Sequence, residues 1–361
     1  MRRVRAIILL ALLLSSCVDL TSARGIPAVE GVVTRVVSTT VGGSGPVQQV
    51  EVELLTPPNT GIRELLYWGG AGQPISTGSL LREGDHVILT RLPSQPASDP
   101  HQIVGIVRIP ALAVAAALLA IVVFAVARLK GLASLAGLAL SAIVFFTVVI
   151  PAIVRGDDPL WWTLLAAVLV LVVSVYVVHG WNRKSSVALA GAVGGLAIVA
   201  LTALAMTSLA RVGGTAGPGA DIAQLPALRG RVDLAHLALA AMILGGLGAL
   251  VDMTVGQSSA TFELAAVDPS LRGWSLYRRA LNVGTDHIGA LVNTVGFAYF
   301  AGALPLLVLL AGRGDALAIA LNDEGIVAAL VATAVACVGL VAAVPLTSGI
   351  AVWLLGPATA R

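Results

Sequence analysis

Charged residues are scarce in this sequence. Asp, Glu, Lys and Arg make up 11% of the 361 residues, whereas a soluble domain carries about 25%. Hydrophobic residues make up 57%, and the mean hydropathy is +0.94. A soluble core of this size cannot bury so much apolar surface, so most of the chain is expected to lie in lipid. The composition therefore excludes a soluble enzyme, a nucleic-acid-binding protein and a disordered scaffold.

Cysteine is also scarce, with only Cys17 and Cys337 in the whole sequence. Two isolated cysteines exclude a disulfide framework and a metal site built from four thiolates. The sequence contains no nucleophile elbow, phosphate-binding loop, HExxH motif or dinucleotide fingerprint. Asp233 and His236 have the i, i+3 spacing of a metal half-site, but no further ligands accompany them, which favours a surface pair. We therefore predict no enzyme activity, no cofactor and no bound metal.

Residues 1–24 have the features of an export leader. Three arginines precede nine apolar residues, Ala6 to Leu14. Such a run is shorter than a membrane span of about 17–25 residues and is typical of a signal peptide. The sequence Leu-Ser-Ser-Cys that ends at Cys17 is similar to a bacterial lipobox, in which the cysteine is lipidated after cleavage. The alternative is an uncleaved signal anchor, and both interpretations place the following residues outside the cytoplasm.

Residues 25–107 are predicted to form a small extracytoplasmic all-β domain, either a barrel or a sandwich. Short alternating runs are separated by turn sequences such as GGSGP, TPPNTG and REGD. A domain of this size can fold alone around a modest core. The predicted strands cover residues 29–38, 47–55, 61–67, 85–91 and 103–108.

Residues 108–361 are predicted to form a transmembrane helical domain. Continuous apolar runs of this length cross a bilayer as helices. The fold class is therefore mainly α: a polytopic membrane helix bundle of about seven spans, or eight if the leader stays uncleaved. Lipid is the expected partner of this bundle, and nucleic acid is not. The seven runs are 109–127, 132–154, 160–179, 187–210, 234–256, 286–311 and 326–355.

The distribution of basic residues predicts the orientation in the membrane. If the β domain is outside, the cytoplasmic segments carry eleven Arg and Lys residues and the outer loops carry five. Cytoplasmic loops are enriched in Arg and Lys, so we predict an extracytoplasmic β domain and a cytoplasmic C-terminus. The cytoplasmic segments in this count are the leader, residues 128–131, 180–186 and 257–285, and the C-terminus.

The fifth apolar run contains a carboxylate, Asp252. An ionised Asp at the bilayer centre costs about 2.5–3.5 kcal/mol on insertion scales, so such residues usually face protein or a wet cavity. Small residues share its helix face at spacings of four and seven, and they allow close helix approach. We therefore predict that this face packs against another helix. The small residues are Gly245, Gly248, Gly256 and Ser259.

The sixth apolar run supplies a candidate partner for this face, because it carries polar side chains on a second face of small residues. One hypothesis is a proton or ion relay, in which Asn293 or Thr294 forms a hydrogen bond with Asp252. The other hypothesis is that these polar groups only hold two packed helices together. The residues of the second face are Asp286, Gly289, Asn293, Thr294 and Gly296.

Residues 268–285, between these two runs, are predicted to form an amphipathic helix at the membrane interface. Asp268 and Pro269 have the chemistry of an N-cap and a first helical position. Trp274 and Tyr277 share an apolar side, and three arginines give a polar side. A helix that gates or docks a partner is the alternative.

Several of these segments resemble the YibE/F family of bacterial membrane proteins. The runs GGLGALVDMTVGQSSATFEL and LNVGTDHIGALVNTVGFAYFAGALPLL carry most of the resemblance, and RIPALAVAAALLAIVVFAVARLKGLASL resembles the start of that family's helical core. The order of leader, small extracytoplasmic domain and bundle is also similar. The resemblance implies a multi-pass protein of the bacterial cell membrane, without an assigned activity. Residues 253–257 depart from the more Ala- and Ile-rich version expected there, so only Asp252 is carried over.

A second resemblance is of pattern and topology only. The order of a Gly-flanked Asp helix, an amphipathic segment and a helix with Asn and Thr is similar to the core of resistance–nodulation–division permeases. That resemblance implies transport coupled to proton flow through membrane carboxylates. We therefore expect a proton- or ion-coupled permease that uses Asp252. The alternative function is an accessory membrane anchor whose β domain binds an extracytoplasmic protein partner.

Overall fold

A computed structural model describes residues 28–42, 45–70, 73–91, 100–314 and 316–356. The predicted leader and Cys17 lie outside the described residues. The described residues are mainly helical, with a five-stranded sheet that precedes the helices. They divide into two compact units, one that ends at Ala125 and one that begins at Val126.

The sheet is antiparallel throughout, in the order β3-β2-β1-β4-β5. The five predicted strands are confirmed, and their ends differ from the predicted ones by one to four residues. The first strand is long enough to pair with two neighbours, which places it at the centre. The strands are β1 (Ala28–Gly42), β2 (Gly45–Leu54), β3 (Arg63–Gly69), β4 (His86–Thr90) and β5 (Gln102–Ile106).

The sheet curls into a half-barrel around an apolar core. Glu64 on edge strand β3 accepts a hydrogen bond from the backbone N–H of His101, which directly precedes edge strand β5, at 2.8 Å. The Glu64 carboxylate also lies 2.9 Å from Nδ1 of His101, so this pair joins the two edges. Gln48 is buried but satisfied, since its amide exchanges two hydrogen bonds with the backbone of Leu81. The core includes Val33, Val50, Val52, Leu66 and Val87.

The first helix is unusually long. α1 (Ile109–Val144) continues through a π-helical turn (Phe145–Val149) into α2 (Ile150–Arg155). The whole stretch has 47 residues, and a helix of that length spans roughly 70 Å, more than twice the about 30 Å of a hydrocarbon core. Arg128, with φ 51° and ψ −135°, interrupts the helical geometry between the first two predicted runs.

Six helices among the described residues are long and apolar enough to cross a membrane. The first of them contains two of the seven predicted runs, so seven separate spans are not confirmed. The other five long helices are α3 (Pro159–His179), α4 (Arg183–Ala210), α6 (Leu234–Val267), α7 (Gly273–Arg313) and α9 (Glu324–Leu355). Two short helices lie between them, α5 (Pro218–Gln224) and α8 (Leu317–Ala320).

Four of the long helices begin at a capping side chain. Each cap accepts a hydrogen bond from a backbone N–H of the first turn, which would otherwise lack a partner. Polar residues at the ends of apolar runs therefore fix where the helices start. The caps are Asp158 for α3, Asn182 for α4, Asp233 for α6 and Asp323 for α9.

Helices α4, α6 and α9 form the centre of the second unit. Polar contacts identify two ends of this bundle. At the His236 end, His236 of α6 contacts Asp158, which caps α3. At the Lys184 end, Lys184 in the first turn of α4 forms an ion pair with Glu263 in the last turns of α6. The apolar core between the two ends includes Leu196, Ile243, Leu250, Val335 and Ala343.

The segment after α6 differs from the prediction. Asp268 is the C-cap of α6, and its carboxylate accepts a hydrogen bond from the Ser270 N–H at 3.0 Å. This local bond stabilises a turn instead of a new helix, so α7 begins at Gly273, four residues after Pro269. The predicted amphipathic segment is therefore the first part of α7, which continues without a break to Arg313.

Candidate functional site

The carboxylate helix, α6, buries one face and exposes another. Leu250, Met253 and Gln257 are buried. Gly248, Asp252 and Gly256 lie on the exposed side. Asp252 is therefore at the surface of the chain. From the sequence, its helix face was expected to pack against another helix, and the structure differs from that expectation at Asp252.

The glycines predicted to pack helices together behave differently from one another. A Cβ added at Gly245 would lie 1.9 Å from the Tyr299 hydroxyl of α7, so Gly245 is in close contact with that helix. Gly248, Gly289 and Gly296 have open space at the same position. Of these four predicted glycines, only Gly245 is at a close contact between α6 and α7, so the two predicted glycine faces do not pack against each other along their length.

The polar residues predicted on the sixth run do not reach Asp252. The Thr294 hydroxyl donates to the Ala290 carbonyl of its own helix at 2.9 Å. Asn293 lines a surface cavity of about 390 Å³ together with Thr333 and Cys337 of α9. Asp286 is exposed. Among the described residues, none of these side chains forms a hydrogen bond with Asp252.

The ionisable side chain that interacts with Asp252 is on a different helix. Its charge interacts with His179, the last residue of α3, and His179 in turn interacts with Lys130 of α1. Within the described part of the chain, Asp252 forms neither a hydrogen bond nor an ion pair of contact distance. The sequence alone does not connect His179 with Asp252, since 73 positions separate the two residues.

A polar cavity of about 130 Å³ lies beside His179. Asp252, Val255 and Ser259 share one face of α6, so the carboxylate lies one turn from the cavity wall. Ser185 lines the cavity and is only 3% exposed, and its hydroxyl has no hydrogen-bond partner among the described residues. The cavity is lined by His179, Asn182, Lys184, Ser185, Ala188, Val255 and Ser259.

A buried amide at the centre of the bundle escaped the sequence analysis. Gln257 is 1% exposed, and its Nε2 donates to the Ala280 carbonyl of α7 and to the Ser348 hydroxyl of α9, both at 2.7 Å. It thereby links three helices. Ile243, Leu250 and Gln257 recur every seven residues on the buried face, but Gly245, Asp252 and Ser259 recur at the same spacing, so spacing alone did not single out Gln257.

A second polar cluster lies at the His236 end. Nδ1 of His236 is 2.8 Å from the carboxylate of Asp158 and 3.8 Å from that of Asp233. Burial acts to raise the pKa of Asp158, but hydrogen bonds from His236 and from the Leu160 N–H prevail and lower it. Asp158 thus joins the predicted Asp233–His236 pair in a cluster of three residues. No group of three or more side chains in the described ranges is arranged to hold a metal ion.

A comparison with protein families adds an independent finding. The family model described as YibE/F-like protein matches residues 115–357, which is more than half of the chain. The chain belongs to the YibE/F-like family. The resemblance stated from the sequence is therefore confirmed. No curated protein and no solved structure gives a significant match.

The YibE/F-like region contains the bundle and not the five-stranded sheet. It begins within α1 and ends just after α9, so Asp252, His179 and the polar cavity all lie inside it. Family membership and six long apolar helices together make this a multi-pass membrane protein.

Proposed function

We propose that this YibE/F-like protein is a proton- or ion-coupled permease, without enzyme activity, in which Asp252 carries the coupling charge. The observation that supports the proposal is the position of Asp252. It is a carboxylate within an apolar helix, with no hydrogen-bond partner in the described residues, one turn from a polar cavity. Carboxylates in membrane helices commonly mark ion and proton pathways.

Two features of the surroundings fit proton coupling. An unpaired carboxylate can take up and release a proton without breaking a structural hydrogen bond. His179, whose charge interacts with Asp252, belongs to the residue type that most readily changes charge near neutral pH. The cavity beside His179 gives water a place next to this pair.

The proposed orientation places the β sheet outside the cell and the Lys184 end of the bundle in the cytoplasm. The support is the charge of that end, which carries more Arg and Lys than the loops at the His236 end. Asp252 then lies nearer the cytoplasmic side. The residues at the Lys184 end include Arg183, Lys184, Arg272, Arg278 and Arg279.

Proton flux into proteoliposomes tests the function. The full chain is reconstituted with a pH-sensitive dye inside, and a potassium diffusion potential drives proton entry. We expect Asp252→Asn to reduce the flux to that of empty liposomes, because an amide cannot carry the proton, and Asp252→Glu to keep part of it. The matched control is Asp157→Asn, which removes an exposed carboxylate at the His236 end and should leave the flux unchanged.

A parallel measurement with a sodium gradient and a sodium-sensitive dye covers coupling to a metal cation. Full flux in a stably folded Asp252→Asn protein would overturn the assignment of Asp252. Absence of both proton and sodium flux in the natural protein would overturn the proposal that the bundle alone conducts either ion.

The second candidate function is an accessory membrane anchor whose β sheet binds an extracytoplasmic protein. The observation that favours it is the apolar outer surface at the two sheet edges, where Leu65, Tyr67 and Val104 are exposed. In that case Asp252→Asn would have no effect on function, whereas Tyr67→Ser would impair it. A deletion strain with a growth defect, complemented by each variant, separates the two functions.

A further inference from the structure

The polar cavity at the Lys184 end has a feature that is separate from the proposed coupling role of Asp252, namely its position at the end of a helix. It lies at the start of α4, a helix of 28 residues. The N-terminus of a long helix carries a partial positive charge and attracts anions. Asn182 caps this helix, since its side-chain oxygen accepts the Ser185 N–H at 2.9 Å.

The second observation is the unpaired hydroxyl of Ser185. Its backbone N–H is occupied by the cap, but its Oγ is buried and has no partner among the described residues, and Ser185 is one of the residues that line the cavity. A buried polar group without a hydrogen bond destabilises the fold. Such a group beside a polar cavity indicates a bound partner that accepts a hydrogen bond from the hydroxyl or donates one to its oxygen.

The other polar side chains of the cavity are mainly hydrogen-bond donors. Lys184 has three N–H donors, of which one is directed at Glu263. Ser259 contributes a hydroxyl and His179 an imidazole. The carboxylates nearby are Glu263, paired with Lys184, and Asp252, which interacts with His179. Lys184, Lys130 and the helix terminus therefore balance or exceed the negative charge.

We propose that this cavity binds a phosphate-type oxyanion, either free inorganic phosphate or the phosphate of a lipid headgroup. The volume of about 130 Å³ is large enough for a small group such as a single phosphate. Oxygen atoms of the anion would accept hydrogen bonds from Ser185, Ser259 and Lys184. A metal cation is disfavoured, because a lysine and the positive end of a helix face the same space. Anion binding does not depend on proton coupling and is tested separately from it.

Calorimetry on the purified full chain in neutral detergent tests the proposal. Inorganic phosphate is titrated in one arm, and a short-chain soluble phosphatidic acid in the other. Ser185→Ala keeps the backbone N–H that the cap uses and removes only the hydroxyl. The matched control is Ser186→Ala, since Ser186 is in the same helical turn but bonds to Tyr176 and the Asn182 carbonyl, outside the cavity lining.

We expect the natural protein and Ser186→Ala to bind with equal affinity and Ser185→Ala to bind about 10- to 100-fold more weakly, the usual loss for a hydrogen bond to a charged group. We also expect Ser185→Ala to unfold at the same or a higher temperature without ligand, since the hydroxyl has no partner to lose. Binding in the phosphate arm identifies the free anion, and binding only in the phosphatidic acid arm identifies the lipid headgroup. No binding in either arm, or equal binding by all three proteins, overturns the proposal.

Discussion

At the residue scale, Gln257 and Asp252 show how polar groups are sorted in an apolar helix. The two residues are five positions apart on α6, yet the amide is buried and the carboxylate is exposed. Burying a neutral amide costs less than burying a charge. The Nε2 of Gln257 has two acceptors at 2.7 Å, whereas its Oε1 has no partner among the described residues. A buried charge needs a close counter-ion as well, and Asp252 has none in contact.

The Asp158–His236 contact gives a prediction about pH. The pKa of Asp158 is lowered in the folded protein, so its ionised form stabilises the fold above the unfolded pKa of about 3.9. This contribution is lost as the pH falls through the lowered value. We expect Asp158→Asn to be slightly less stable than the natural protein at pH 5–7, by less than about 1 kcal/mol because the pair is partly exposed.

The measurement is thermal unfolding of both proteins across a pH series. The difference between them should shrink below about pH 4, where the carboxylate becomes protonated. Asparagine is itself a good N-cap, so Asp158→Asn keeps the cap of α3 and the difference in stability reports only the loss of the charge. A difference that is the same at every pH would show that the ionised carboxylate adds nothing.

At the scale of elements, Gly284 of α7 lies at a close contact with both α6 and α9. A Cβ at Gly284 would lie 2.5 Å from Val344 of α9 and 2.7 Å from Oε1 of Gln257. Close approach of this kind allows α7 to reach the buried amide. The predicted glycine contacts at positions 248, 289 and 296 instead face open space.

Two alanine substitutions in α7 test this contact. We expect Gly284→Ala to destabilise the bundle by about 1–3 kcal/mol, because the added methyl overpacks the contact. Gly289→Ala, on the same helix with no atom within 4 Å, should change stability by no more than about 1 kcal/mol, and it favours the helix. Unfolding in detergent followed by circular dichroism measures both. Equal effects of the two variants would mean that Gly284 is not a close contact.

At the scale of the whole molecule, the long α1–α2 stretch decides the topology. If it crosses the membrane twice, the β sheet and the C-terminus lie on opposite sides, and if it crosses once, they lie on the same side. Its 47 residues exceed one span, and the helical geometry fails at Arg128, between two apolar runs. We expect two crossings.

Reporter fusions at residue 60 and after Arg361 check this prediction. The expected result is an extracytoplasmic signal from the first fusion and a cytoplasmic signal from the second. Signals on the same side would favour a single crossing by the α1–α2 stretch, and a cytoplasmic signal from residue 60 would contradict the predicted orientation.

The sequence by itself determined the class of the molecule. Long apolar runs can only be satisfied as helices in lipid, and alternating runs with turn signals can only form a sheet, so five strands and the apolar helices were predictable. Helix ends were less predictable where a polar segment continues a helix beyond its apolar run. The N-terminal part of α7 shows this, since local hydrogen bonds at Asp268 shifted its start.

Only the tertiary structure decided which face of each helix is buried. α6 is apolar or small on all sides, so periodicity could not distinguish the face with Gln257 from the face with Asp252. Packing against α4 and α9 determines which face of α6 is buried, because close contacts such as that of Gly195 with Leu250 fit only one rotation of the helix about its axis. The polar cavity depends on the same packing, since it joins Ser185 and Ser259, which are 74 positions apart in the chain.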